Sequence, residues 1–547
     1  MKKYVIGIDF GTLSGRCVLV DVESGAEVAE SVLEYAHGVM DERLPSGRAL
    51  PKLYALQHPQ DYLDVLRFTV RDVLSRAKVS RDAVVGMGID FTSCTVLPID
   101  KDGVPLCFNE KYKDEPHAYV KLWKHHSAQS EADEITALAE ERGEPWLGAY
   151  GRKISSEWAL PKLLEILREA PEVYNDTERF VEAADWLSLM LTGKESHSAV
   201  FAGYKALWSD GGYPSNEFMV ALDKCLDGVV GTKISENVLA MDNIAGVLND
   251  SGAELTGLNA GTSLALPMID AHAAMPASGC TEDGDLILIV GTSSCQILNS
   301  VRKKSVEGIC GYVKDGVIPG FYTYEAGQPA VGDVFDWFVK NCVPAAYTAE
   351  AAKRGISIHK LLRERASKLK VGQSGLLALD WLNGNRSVLV DSALSGMILG
   401  LTLRTRPEEI YRALIEATAF GTRMILEQYE HNGIEIKRVC AAGGIAQKDE
   451  MMMQIYADVL GKEISIAASA QAGALGSAIY AAVAAGVYPS VSAAARALAK
   501  KPVRVYTPNS DDGKAYNALY AEYKRLHDYF GKGENNVMKV LKEISVG

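Results

Sequence analysis

The sequence predicts an α/β protein of two domains laid out on one plan, and three observations carry that expectation. The chain has 547 residues, more than a single hydrophobic core ordinarily sustains. One hairpin pattern occurs twice, as "IGIDFGTLSGRCVL" at 6–19 and "LILIVGTSSCQILN" at 286–299; Gly11-Thr12 and Gly291-Thr292 stand 280 positions apart, about half the chain. Strand-like runs also feed helices through glycine, as in "IKRVCAAGGIAQKDEMMMQIYADVLG" at 436–461, where Met452, Ile455, Tyr456 and Val459 follow helical spacing. The expected domains are 1–275 and 276–547, with a hinge between about 260 and 285, where strand signals resume after a loop-rich region.

The first hairpin, "YVIGIDFGTLSGRCVLVD" at 4–21, holds more than a turn requires. Glycine suffices for a tight hairpin, yet Asp9, Gly11, Thr12, Ser14 and Arg16 crowd this one. Successive inward N–H groups flanked by hydroxyls make a concave anion site, and two such turns facing each other across a cleft hold a polyphosphate from both sides. Asp9 then has a purpose as a carboxylate for Mg2+, direct or through water, and Arg16 as a donor to phosphoryl oxygens. The strand at 83–100 brings a second acid, Asp90, followed by Thr92, Ser93 and Cys94. "KLWKHH" at 121–126 pairs two histidines with no third ligand and reads as a solvated face. "FAGYKALW" at 201–208 places Lys205 among aromatic and small residues, where an unpaired cation is costly.

"SLALPMIDAHAAM" at 263–275 delivers Asp270 to the mouth of a turn just before the second hairpin. That placement favours a general base at the domain junction over a simple N-cap, while His272 reads as packed. "FYTYEAGQPAVGDVFDWF" at 321–338 sets Glu325 ahead of a helix with Val334 and Phe338 on its apolar face. Gly443-Gly444 let a flat ligand lie against backbone. Segments 129–142 and 515–530 read as surface helices.

Composition narrows the partners. Hydrophobic residues make up 48% and charged residues 23%, ordinary for a soluble globular protein. Fifty-seven basic residues against 70 acidic ones give −13 with no basic stripe, which argues against nucleic acid or an anionic membrane as the main partner. A phosphorylated ligand stays open, because backbone donors hold anions even in an acidic protein. The nine cysteines include no C-x-x-C pair and mostly sit in apolar runs, such as Cys17, Cys94, Cys295 and Cys440, as in a reducing cytoplasm. "MKKYVIGIDFG" is too short in apolar residues for a signal peptide. The uncharged run at 464–488 reads as a strand and a closely packed buried helix rather than a membrane span, being mostly Ala, Gly and Ser with Gln471 inside. A homo-oligomer is left open. Neither G-x-x-x-x-G-K-[ST], G-x-G-x-x-G nor H-R-D occurs.

In order along nearly the whole chain, "GIDFGTLSGR", "GIDFTSCTVLP", "KLWKHHSAQ", "SSEWALPKLLE", "AGYKALW", "IDAHA", "VGTSSC", "EAGQPAVGDVFDWF", "WLNGNRSVLVDSALSGMILGLTLRT", "RALIEATAFGTR" and "AAGGIAQKD" resemble the FGGY family of carbohydrate kinases. The resemblance implies a two-domain, ribonuclease H-like or actin-like (hexokinase–Hsp70) ATPase fold with an ATP cleft between the domains. It implies phosphorylation of L-ribulose at its 5-hydroxyl with ATP and Mg2+, giving L-ribulose 5-phosphate in arabinose breakdown. It makes Asp270 the catalytic base and places Ser93, Lys205, Asp270 and Glu325 on the sugar. Gly11, Thr12, Ser14 and Arg16 match the first phosphate loop, Gly291 and Thr292 the second, and Gly443, Gly444 and Gln447 the adenosine segment; Asp9 matches the acid associated with Mg2+. Two positions depart from the pattern and bear on which pentulose fits: Ser93, where alanine is frequent, and Tyr204, where histidine is expected. The alternatives are another pentulose or polyol kinase of the family, xylulokinase-like, and a non-kinase actin-like ATPase.

Overall fold

The computed structural model describes residues 2–209 and 212–546. Two seven-stranded sheets form its frame, and they share one topology. In the first, Tyr4–Phe10 pairs antiparallel with Ser14–Asp21, which pairs antiparallel with Glu27–Glu34. On its other side Tyr4–Phe10 lies parallel to Val84–Phe91, which is flanked in turn by Ser263–Ala265 and, outermost, the antiparallel Ile244–Val247. The seventh strand, Met268–Ile269, extends the parallel edge beside Asp90 and Phe91. The second sheet repeats this order: Asp285–Val290, Ser294–Ser300 and Tyr322–Gln328 run antiparallel, and Arg438–Ala442, Ile464–Ile466 and the antiparallel Arg504–Tyr506 complete the parallel side. Gly311–Lys314 caps its far edge. Two α/β halves on one plan are therefore observed, as the repeated hairpin led us to expect.

The second half does not keep to itself. Every strand of the first sheet precedes residue 270 and every strand of the second follows residue 284, but helix Ala472–Ala484 packs on the first sheet, where Ala474, Leu475, Ala478 and Ile479 join the core of Val5, Ile8 and Ile89. Gly7 and Gly88 permit this approach: a Cβ there would lie 1.8 Å from the Ala474 carbonyl and 2.1 Å from that of Ser477. The uncharged run at 464–488 is thus the strand Ile464–Ile466 followed by a buried helix. A separate core fills the outer part of the first half around a small sheet of Leu56–Gln57, Val120–Lys121, Val96–Ile99 and Arg179–Glu182.

"KLWKHH" is not a solvated face. Lys121 and His125 are fully buried, and the Lys121 ammonium lies 2.8 Å from Glu165 Oε2. The partner that makes burial tolerable comes from helix Ala159–Glu169, far along the chain. Helix Gln129–Arg142 turns Ala132, Ile135 and Ala139 inward, and Ser510–Gly531 buries Tyr516, Tyr520 and Tyr523, so both surface helices are amphipathic rather than merely exposed.

Candidate active site

A cleft of about 1110 Å³ opens between the two sheets at the carboxyl ends of their parallel strands, where ligands of open α/β sheets bind. Register brings the acids together. Asp9 lies opposite Asp90 on adjacent parallel strands, and Met268–Ile269 pairs beside Asp90 before the chain turns into helix Asp270–Ala277. Three carboxyls from distant segments thus share one edge.

Each acid has its own electrostatic setting. Asp90 is fully buried, accepts a 2.7 Å hydrogen bond from Ser477 Oγ, and shares a hydrogen bond with the Asp9 carboxyl. Burial, followed by the charge of Asp9, pushes its carboxyl well above the usual range. Asp9 is raised by burial, against the pull of Arg16 3.3 Å away. Asp270 accepts from the Ala271 N–H at 2.7 Å, and burial, followed by the nearby Asp9, pushes it up to about 7. A carboxyl that titrates near neutrality at the floor of a cleft is poised as a general base.

Both turns open onto this cleft. Gly11 N–H donates to the Ser14 carbonyl at 3.0 Å and Gly291 N–H to that of Ser293 at 2.9 Å, and Gly11, Thr12, Ser14, Gly291 and Thr292 all line the cleft. Side chains from outside the hairpin hold the first turn: the Trp123 indole N–H donates to Thr12 Oγ1 at 3.2 Å and the Gln57 amide to the Thr12 carbonyl at 2.7 Å. The second turn is held by backbone, with the N–H groups of Val331 and Asp333 donating to the Thr292 carbonyl at 2.7 and 3.2 Å. Gly443 sits beside it at φ +100°, where a Cβ would lie 2.4 Å from the Val290 carbonyl, so this position demands glycine.

At the other end, Lys205 Nζ lies 2.8 Å from Glu325 Oε1 and His272 Nε2 lies 3.3 Å from Glu325 Oε2. Glu325 therefore stays ionised: burial opposes this, but the Lys205 ammonium outweighs it. His272 is buried against the Tyr204 ring at 4.6 Å, and burial lowers it to about 4, so it is a neutral, packed residue at ordinary pH. Ser93, partly exposed, completes the lining.

Of the residues singled out from the sequence, Asp9, Gly11, Thr12, Ser14, Arg16, Ser93, Lys205, Asp270, Gly291, Thr292, Glu325 and Gly443 line this one cleft. Gly444 and Gln447 do not. The Gln447 amide donates to the carbonyls of Ala467 and Ser469 at 3.3 and 3.0 Å, steadying the stretch before Gly473. The sequence reading passed over Glu157, Trp158 and Arg386, which also line the cleft. A usable signal was present: Glu157 and Arg386 are the lone charges in the uncharged stretches 154–161 and 381–390.

A divalent cation fits the acidic edge. Gly473 lies against both acids, where a Cβ would stand 3.0 Å from Asp90 Oδ1 and 3.3 Å from Asp9 Cγ, so glycine keeps a space open beside the carboxyls. Among the described residues no group of three His, Cys, Asp or Glu side chains is arranged to hold a metal.

Family models for the N-terminal and C-terminal domains of the FGGY carbohydrate kinases match residues 4–275 and 286–485. The chain belongs to the FGGY family of carbohydrate kinases. Among FGGY relatives, a ribulokinase of Shouchella clausii is 51% identical over 550 residues, covering 100% of this chain and 98% of its own length. A ribulokinase of Mycolicibacterium smegmatis is 47% identical, covering 99% and 96%. In fold, the chain is similar to a xylulose kinase from Rhodospirillum rubrum, with a TM-score of 0.77 at 22% identity over 96% of this chain and 98% of that one. A Plasmodium falciparum glycerol kinase with ADP gives 0.75 at 16% identity over the same shares. This FGGY chain has the two-domain actin-like ATPase fold, and among its described residues no helix is long and apolar enough to cross a membrane.

Proposed function

We propose that the protein transfers the γ-phosphoryl group of ATP to the 5-hydroxyl of L-ribulose, forming L-ribulose 5-phosphate and ADP. The observation that carries this reading is that Asp270, a carboxyl titrating near 7, lines the same cleft as the turns at Gly11 and Gly291 and the Lys205–Glu325 pair. The likeness to ribulokinases over the full chain supports the choice of sugar.

The triphosphate lies with its β and γ groups between the turns at Gly11 and Gly291, their backbone N–H groups and Arg16 facing its oxygens. Mg2+, when bound, neutralises phosphoryl charge; Asp9 would hold it directly or through its waters, with Asp90 behind. Gly443 gives the nucleoside a flat backbone wall. Lys205 donates to sugar oxygens and Glu325 accepts from sugar hydroxyls, with Ser93 at their side. Asp270 takes the proton of the attacking primary hydroxyl. The new bond joins that oxygen to the γ-phosphorus, the bond from phosphorus to the bridging oxygen breaks, and ADP leaves with its electron pair. Transfer of this kind needs alignment and charge compensation more than covalent help from the protein. The nine free cysteines support a cytoplasmic setting.

ADP release measured with L-ribulose, D-ribulose, xylulose, ribitol and glycerol tests the reading. L-ribulose is expected to give the highest kcat/KM. A clear preference for xylulose or glycerol, or ADP release indifferent to sugar, would overturn it.

A further inference from the structure

Two ion pairs cross between the halves at the sugar end of the cleft, and they differ. Lys205–Glu325 is buried and tight at 2.8 Å. The other joins Glu157 Oε1, from the first half, to Arg386 Nη2, from the second, at 3.7 Å, with both side chains partly exposed. That second separation is too long for a strong hydrogen bond, so the contact is only partly made.

The surroundings tie both pairs into one ring. Glu157 precedes Trp158, whose ring lies 6.0 Å from Lys205 Nζ. Arg386 rests on the strand Tyr322–Gln328 that carries Glu325: a Cβ on Gly327 would meet its Cδ at 3.6 Å, and the next residue, Ser387, accepts from the Gly327 N–H at 3.2 Å. His126 Nε2 stands 3.2 Å from the same Glu157 oxygen. Burial alone would raise Glu157, but Arg386 and then His126 outweigh it and hold the carboxyl at about 2, so both partners are charged at working pH. Further contacts between the halves flank the pair, Lys153 Nζ to the Val390 carbonyl at 3.1 Å and Ser305 Oγ to that of Gly148 at 2.9 Å, which fixes this flank as a seam between the halves.

We propose that Glu157 and Arg386 are positioning residues that tighten across the seam when sugar fills the cleft, so that sugar affinity depends on both halves at once. The inference rests on the sugar-kinase reading above and deepens it. A partly made charge pair beside a finished one is suited to this, because its strength rises steeply as closure excludes water. Phosphoryl transfer itself is untouched, since neither residue belongs to the acidic edge or the two turns.

Steady-state kinetics of Glu157→Gln, Arg386→Gln, the double variant and Arg386→Lys test the proposal, with thermal melting as a check on folding. Each neutral single variant is expected to raise the sugar KM about tenfold or more while the ATP KM stays within about twofold and the pH midpoint near 7 does not move. The double variant is expected to be no worse than the worse single one, as befits two ends of one interaction, and Arg386→Lys to recover part of the loss. Sugar KM values within twofold of wild type, effects that multiply in the double variant, or a parallel rise in the ATP KM would overturn it. If Arg386→Gln fails to fold, Glu157→Gln and Arg386→Lys decide by the same criteria. A wild type inert to every sugar would instead defeat the substrate reading, and the pair is therefore judged on the sugar that wild type uses best.

Discussion

The first hairpin and the second occupy equivalent places in equivalent sheets, yet only the first carries charges beside its turn. Where the first has Asp9 and Arg16, the second has Ile289 and Gln296 at matching positions. Ile289 packs at the edge of the shared core, and Gln296 is buried, its amide 3.0 Å from Ser294 Oγ. The carboxyls beside the turns, Asp9 and Asp270 on the cleft with Asp90 buried behind them, come from the first half, while the second contributes its turn and the glycine at 443, its Glu325 lying at the sugar end. An anionic ligand explains the asymmetry. Acids on both sides of a polyphosphate would repel it, whereas acids on one side hold its cation and take its acceptor's proton. What is repeated in the sequence builds the fold; what breaks the repeat builds the chemistry.

Removing the acids of the first half should therefore cost most. Asp270→Asn is expected to lower kcat by about 10²–10⁴, with the ATP KM little changed, in an ADP-release assay. The pH profile probes the same group without mutation. With Asp270 titrating at about 7, its working form is the deprotonated one, so kcat/KM for sugar should fall about tenfold per pH unit below 7 and level off above it. A profile flat from pH 5 to 8 would remove Asp270 as the base. Asp9→Asn is expected to lower kcat on the order of tenfold and to raise the Mg2+ concentration giving half activity.

Changes at the second half's Gly443 wall should act on nucleotide alone. Gly443→Ala forces a side chain into φ +100° against the Val290 carbonyl, a strain of about 1–3 kcal/mol, and is expected to raise the ATP KM about tenfold while the sugar KM holds. The finest contrast compares the two threonines. Thr12→Val cuts the bond from Trp123, worth about 1 kcal/mol, and should lower kcat/KM for ATP several-fold. Thr292→Val should change it by less than about twofold, because the carbonyl of Thr292 rather than its hydroxyl is engaged. Equal effects at the two positions would mean that the turns are held alike.

The turns and acids were legible in the sequence because their logic is local. An apolar run ending in Gly-Thr, or delivering Asp270 to a turn, announces itself within ten residues. Lys121 and His125 were misread for the opposite reason: Glu165, which makes their burial tolerable, is 44 and 40 residues away, and nothing at 121–126 signals it. Helix Ala472–Ala484 was legible as a buried helix from its small residues, but not as one that crosses to the first sheet. That depends on Gly7 and Gly88, nearly 400 residues or more earlier. Arg386 and Glu157 likewise gain meaning only when the two halves face each other.

Under the proposed function a single triphosphate is gripped from both sides, by the turn at Gly11 and the turn at Gly291. A crystal structure with Mg2+ and a non-hydrolysable ATP analogue tests it most directly. Backbone N–H groups of both turns are expected within hydrogen-bond distance of the β and γ phosphates, with Asp270 facing the γ-phosphorus. Phosphates held by one turn only, or lying outside the space between them, would contradict it.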